Sequence, residues 1–154
     1  MGMDVHGLNP VIRKEPTSEI LKEDWTKLSE DDLGKYFEAK QQQEEDNPGI
    51  YFRNNVWWWR PLWDYVWKLC EDDGIITREQ YKEGHYNSGA EINIHQAELI
   101  ALRLNHAIKM GWVEEYKKQY ETDTEDDNYE YPFHEDNVKA FAEFCKDSGG
   151  PSIQ

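Results

Sequence analysis

Arg53, Asn54, Asn55, Trp57, Trp58 and Arg60 fall within eight residues, inside the stretch Tyr51 to Trp67 that reads YFRNNVWWWRPLWDYVW. Guanidinium groups pair with phosphate or carboxylate, and indoles offer faces on which planar rings and cations stack. Side-chain amides add donors and acceptors for polar edges. Together these residues describe a site for a small anionic ligand with a planar part, with Arg53 and Arg60 on the charge and Trp57 or Trp58 on the ring. His85 and Asn87 extend the set. They lie in Gly84-His85-Tyr86-Asn87-Ser88-Gly89, and glycine-bounded loops can turn backbone N–H groups toward an anion.

Catalytic signatures are missing from the chain. It contains no HExxH, CxxC, GxGxxG or GxxxxGK[ST] pattern. Its two cysteines, Cys70 and Cys145, occupy apolar positions of expected helices, which makes them buried free thiols rather than nucleophiles. His95 and His106 are eleven residues apart, on one helical face but too distant along its axis to share a metal. The reading is non-enzymatic binding, with no cofactor and no metal site.

The same aromatic residues serve equally as core. Five of the seven tryptophans lie between Trp57 and Trp67, and each large ring buries roughly 150–250 Å². Trp59, Trp63, Val66 and Cys70 share one helical stripe, widened by Leu62 and Leu69, so most rings are expected inside. Trp58 leaves that stripe and is the indole expected outside. The exposed remainder of the motif is also a candidate homo-oligomer interface.

These side chains must be held by a mainly α, compact single domain spanning 1–154. At most a short two-stranded pairing of residues 3–6 with 50–53 accompanies the helices. Asn55 caps the tryptophan helix, and Pro61 places its regular part near Arg60, because proline is tolerated only in a first turn. Thr77 with Gln80, and Asn93 with Gln96, form capping boxes. The second opens the clearest helix, with Ala97, Ile100, Ala101, Leu104, Ala107 and Ile108 at helical spacing. Gly111 ends it, Trp112 to Glu121 forms another, and Asp136 or Asn137 caps a last helix carrying Val138, Phe141, Ala142 and Cys145.

Two acidic stretches interrupt this frame. Residues 11–48 read as an acidic helical insertion, with one amphipathic helix over Glu19–Leu28 and a second capped by Ser29 that QQQEEDNPG ends in a solvated loop. Residues 121–136 hold eight acids and no Lys or Arg, and read as an acidic loop.

The formal charge is −15. Such a field repels nucleic acid and anionic membrane, so no direct contact with either is expected. It suits a basic protein partner, and an acidic interaction module or DNA mimic that inhibits a basic host protein is the alternative function. Within this field the tryptophan stretch is the one locally basic region, with Arg53, Arg60 and Lys68 against Asp64. The opening MGMDVHGLNP has no leader pattern, and no apolar run approaches a membrane span, which leads to a cytoplasmic expectation.

MGMDVHGLNP, YFRNNVWWWRPLWDYVW, the Gly84-Asn87-Gly89 spacing and FAEFCKDSGG resemble a family of small, functionally uncharacterised proteins of tailed phages, including marine cyanophages, and of some bacteria. The likeness covers the first ten residues and roughly 50–121 and 137–150. It departs at 11–48, since in that family the opening NP runs almost directly into YFRNN. The resemblance implies a phage-like setting, with no established activity and no catalytic residues to carry over. Joined to the basic, aromatic island of the tryptophan stretch, it leads to the expected function, a phage-type accessory or anti-defence binding protein that captures a small anionic ligand such as a nucleotide signal in the host cytoplasm.

Overall fold

A computed structural model describes residues 2–124 and 132–154. Strand β1 is Gly2–Gly7, helix α1 Glu30–Asp46, and strand β2 Tyr51–Asn55. Helix α2 (Val56–Cys70), helix α3 (Arg78–Glu83) and strand β3 (Ala90–Glu91) follow. Helices α4 (Ile94–Lys109), α5 (Trp112–Thr124) and α6 (Glu135–Asp147) precede strand β4, Pro151–Ile153.

The fold is mainly α, but the expected two-stranded pairing is one part of a four-stranded antiparallel sheet ordered β2-β1-β4-β3. Val5 sits opposite Phe52 on one side of β1 and opposite Ile153 on the other. Strands of two and three residues carry no readable alternation. They exist because β1 supplies a partner edge and Gly149 and Gly150 adopt positive φ of 67° and 112° to turn the chain into it.

Sheet and helices enclose one apolar cluster. Met3, Val5, Phe52 and Ile153 point into it from the sheet, while Trp59, Trp63 and Val66 of α2 meet Ile100 and Leu104 of α4 and Phe141 of α6. Trp59 and Trp63 stack at 5.4 Å, and Phe141 meets Trp59 edge-on at 5.5 Å. The expected stripe of α2 is therefore the core. Cys70 and Cys145 are buried free thiols, as expected, and burial holds the Cys70 thiol up at about 11.

Capping chemistry was read correctly at four helices. Ser29 accepts from the Asp32 N–H, Asn55 from Trp58, Thr77 from Gln80 and Asn93 from Gln96. Other boundaries differ. The Asn55 cap starts α2 at Val56, so Pro61 lies inside the helix instead of marking its first turn. His134, not Asp136 or Asn137, takes the N-cap position of α6 and gives no side-chain cap. Residues 19–28 form two short 3₁₀ turns, Glu19–Lys22 and Trp25–Lys27, rather than one helix. Asp24 caps the second turn through the Thr26 N–H, which interrupts the expected run.

QQQEED remains helical up to Asp46. The chain is then fixed by Asn47, whose buried side chain accepts from the Arg13 and Lys14 N–H groups and donates to the Lys14 and Gln43 carbonyls at 2.7–3.0 Å. This one amide ties the start of the 11–48 segment to its end. Of the acidic loop expected at 121–136, the first residues belong to α5 and the last two to α6. Its middle, 125–131, lies outside the described residues.

Candidate functional site

Strand alternation sorts the residues of β1 and β2. Met3, Val5 and Phe52 face the core, so Asp4, His6, Tyr51 and Arg53 share the opposite face. The register sets Asp4 across from Arg53 and His6 across from Tyr51. Arg53 Nε lies 3.6 Å from Asp4 Oδ1, and the Tyr51 hydroxyl donates to that same oxygen. The His6 and Tyr51 rings are 5.1 Å apart.

Helix α1 passes over this face. Phe37, Lys40, Gln41 and Glu44 follow one another at steps of three, one and three residues, so they share a helical face. With Asp4, His6, Tyr51 and Arg53 they line an open cleft of about 600 Å³. Three cationic or protonatable groups from three elements meet there: His6 of β1, Lys40 of α1 and Arg53 of β2. Phe37 and Tyr51 supply aromatic surface. Burial raises the Glu44 carboxyl above its usual range, with Lys40 and His6 opposing. Burial, then the bond to Asp4, pushes the Tyr51 phenol up to about 12. The hydroxyl therefore remains a proton donor across the physiological range.

The expected site residues separate into three groups. Arg53 belongs to the cleft, and its guanidinium crosses Gly2, where a Cβ would lie 2.9 Å from Nε. Asn87 reaches the same corner, donating to the Gly2 carbonyl at 3.1 Å. Arg60 and His85 form a second group beside Asp64. The Tyr81 hydroxyl donates to Asp64 Oδ1 at 2.6 Å, and His85 Nε2 lies 3.2 Å from the same oxygen. His85 Nδ1 is 2.9 Å from the Tyr81 carbonyl. Both imidazole nitrogens thus face acceptors, which favours the doubly protonated ring. The bond to Asp64 raises the His85 pKa, with burial opposing. Burial pushes the Asp64 carboxyl up, but the bonds from His85 and Tyr81 outweigh it and leave it lowered.

Structural duties take up the third group. Asn54 and Asn137 exchange amide hydrogen bonds at 3.0 and 2.9 Å, joining β2 to α6. Asn55 caps α2. Trp58 is half-buried and stacks on His134 at 5.2 Å, so it is not the exposed indole of the motif. That description fits Trp57, at 46% exposure. The loop 84–89 also differs from an anion cradle. The N–H groups of Gly84, His85, Tyr86 and Gly89 all donate to backbone carbonyls. Gly84 itself accepts from Trp59 Nε1 at 2.8 Å, so the loop docks on the tryptophan core.

Sequence reasoning missed Phe37, Lys40, Gln41, Glu44, His6 and Tyr51. The signal in α1 was the helical spacing of those four residues, which a reading of 11–48 as a separate insertion set aside. Among the described residues no cluster of His, Cys, Asp or Glu could hold a metal ion, and no helix is long and apolar enough to cross a membrane. No protein-family model matches the chain, and no curated protein or solved structure matches it either.

Proposed function

We propose that this chain is a non-enzymatic binding protein that captures a small anionic ligand of the nucleotide class. The site is the cleft between α1 and the outward face of β1 and β2. One observation carries the reading: Arg53, Lys40 and His6 converge from three elements on a cleft whose apolar surface is the rings of Phe37 and Tyr51. Its size is within the roughly 300–1,000 Å³ common for small-molecule sites. The carboxylates of Asp4 and Glu44 fit this class too. A nucleotide presents amino and hydroxyl donors beside its phosphate, and these need acceptors. Arg53 and Lys40 take the phosphate, Phe37 or Tyr51 takes the base, and Glu44 accepts from an amino or hydroxyl group. The resemblance of the tryptophan motif to the phage family supports a phage-type setting in a host cytoplasm, where capture of such a ligand would serve an accessory or anti-defence role.

The test is calorimetric titration with nucleoside mono-, di- and triphosphates, cyclic forms included. A charge-assisted hydrogen bond contributes about 1.5–3 kcal/mol, so Arg53→Ala and Lys40→Ala should each weaken binding roughly 10–100-fold. Unchanged affinity in the double variant would overturn the assignment.

A second reading, the acidic interaction module, has its own support in α1. Asp31, Glu38 and Glu45 are all exposed and recur every seven residues, which sets carboxylates about 10 Å apart on one side of the helix. A basic protein partner would bind there with strong salt dependence. Retention of that partner by an Asp31→Asn/Glu38→Gln/Glu45→Gln variant would remove this reading.

A further inference from the structure

Strand β2 forms one edge of the sheet, and the register sorts its backbone groups. The Gly7 N–H donates to the Ile50 carbonyl at 3.0 Å, which makes Gly7 and Ile50 a hydrogen-bonded pair. Bonded and non-bonded pairs alternate along an antiparallel ladder, so Phe52 and Asn54 also turn their backbone groups toward β1. Tyr51 and Arg53 turn theirs away from it. Asp4, which sits across from Arg53, agrees: its N–H and carbonyl are both taken by Gln154, at 3.2 and 2.8 Å. Among the described residues nothing bonds to the N–H or carbonyl of Tyr51, or to the N–H of Arg53. The Arg53 carbonyl accepts from Asn54 Nδ2 at 3.0 Å, which ends the open stretch. The other edge of the sheet is shorter and closed. Strand β3 has two residues, and Gln80 Nε2 donates to its Glu91 carbonyl at 3.1 Å.

A groove of about 350 Å³ runs beside the open edge of β2. Ala140 and Phe144 of α6 give it apolar surface, with Glu143 beside them, and the end of α1 contributes Glu44, Glu45 and Asp46. Arg13 is the one cation lining it, and Asp147 and Glu143 already hold that guanidinium. Lys14 lies 3.8 Å from Asp46, while Glu44 and Glu45 have no salt bridge among the described residues. Side chains of a strand laid along the edge would alternate between two walls. Those on the Tyr51 side approach Glu44 and Glu45, and those on the Phe52 side approach Ala140, Phe144 and Glu143. A second copy does not suit this place, because pairing β2 with β2 would set the carboxylates of each groove beside those of the other. We infer that the β2 edge docks an extended, basic segment of a partner protein, which adds a strand to the sheet with Lys or Arg against the carboxylates and apolar side chains against α6. Main-chain bonds to Tyr51 and Arg53 provide the affinity, and the charge of the walls provides the selectivity. The groove adjoins the ligand cleft, sharing Glu44 and Tyr51 with it, but the docked strand needs neither Lys40 nor the Arg53 guanidinium. It is also distinct from the row of Asp31 and Glu38 along α1.

The probe is acetyl-Lys-Val-Lys-Val-Lys amide, titrated calorimetrically into the intact chain, with the peptide carrying Glu for Lys as its counterpart. The basic peptide should bind, more weakly as salt rises, and the acidic one should not. In hydrogen exchange the Tyr51 and Arg53 amides should be fast in the free protein and protected in the complex. Methylating alternate peptide nitrogens should weaken binding about 10-fold or more in one phase and little in the other, since only every second N–H of an added strand faces β2. Glu44→Gln with Glu45→Gln should weaken it about 3–10-fold. Lys40→Ala, which should weaken nucleotide capture, should not weaken the peptide, so failure of one reading and failure of the other are told apart. No binding of the basic peptide at millimolar concentration overturns the proposal. So does binding that leaves the Tyr51 and Arg53 amides unprotected, or that both methylation phases weaken alike, since either is charge attraction without strand pairing. Protection of those amides by self-association of the free chain assigns the edge to a second copy and overturns it as well.

Discussion

Replacing Gly84 with alanine sets two calculable effects against each other. Gly84 has φ −65° and ψ −12°, an ordinary right-handed helical conformation. Judged on backbone alone, alanine there should stabilise the protein by about 0.4–1 kcal/mol, because it restricts the unfolded chain. Packing argues the other way. A Cβ at 84 would lie 2.5 Å from Cε2 and 2.7 Å from Cζ2 of Trp63, and nearer still to its Nε1. Non-bonded carbons sit about 3.5–4.0 Å apart. Trp63 has nowhere to retreat. It is fully buried, its Nε1 donates to the Tyr81 carbonyl at 2.9 Å, and its ring stacks on Trp59 at 5.4 Å. Moving the loop instead would stretch the bond from Trp59 Nε1 to the Gly84 carbonyl. Overpacking of this kind costs about 1–3 kcal/mol. With three atoms of a pinned ring involved, the net expectation is a loss of about 2 kcal/mol, or roughly 4–8 °C in Tm for a chain of this size. Urea and thermal unfolding followed by tryptophan fluorescence would measure it. Gly34→Ala is the matched control: nothing lies within 4 Å of a Cβ there, and in the middle of α1 alanine should gain about 0.5–1 kcal/mol. If Gly84→Ala is as stable as wild type, the docking of loop 84–89 on the tryptophans is wrong.

Asn47→Ala removes four hydrogen bonds from a buried amide. At about 0.5–1.5 kcal/mol each, the loss should be about 2–6 kcal/mol. Hydrogen exchange should show it first at the Arg13 and Lys14 amides. The His85–Asp64 contact contributes stability within a pH window and loses it on either side. A raised histidine pKa gives stability that is complete below about 6.5 and lost as pH rises through the folded value, whereas a lowered aspartate pKa gives stability present above about 3.8 and lost as pH falls through it. Asp64→Asn should therefore be most destabilising near pH 5–6 and less so at pH 8.5, and a pH-independent difference in urea midpoint would refute the pairing. A thiol reagent should find Cys70 and Cys145 inert in the native protein at pH 8 and label both in denaturant, since burial raises both pKa values. Fast native labelling would contradict their place in the core.

Features written in neighbouring residues were legible in the sequence. The α2 stripe and the four side-chain caps depend on contacts three or four positions apart, so composition and spacing suffice. The short strands β3 and β4 depend on partners far away in sequence and carry no pattern of their own. Asn137 shows how distant contacts override local ones: its type and place suit a cap, yet Asn54, 83 residues earlier, takes its amide. The site was half legible for the same reason. Arg53 was marked by its charge in an acidic chain, and its neighbours on the strand were not, because only the pairing of β1 with β2 reveals which side chains share its face. Trp57 and Trp58 could not be ranked by stripe alone, since Trp58 finds cover from His134 of a later segment.

The position of β4 bears on how the chain is made. β1 is an inner strand, flanked by β2 and by residues 151–153. During synthesis β1 can pair with β2 early, but its other edge stays bare until residues 151–153 have emerged from the ribosome. Over that interval the nascent protein displays unpaired backbone groups next to a dense set of aromatic residues, a combination that invites pairing with other chains. Closing a loop of that length also slows the pairing of β1 with β4. Chaperone demand and yield should thus respond more to changes at Gly149, Gly150 and Pro151 than their small size suggests.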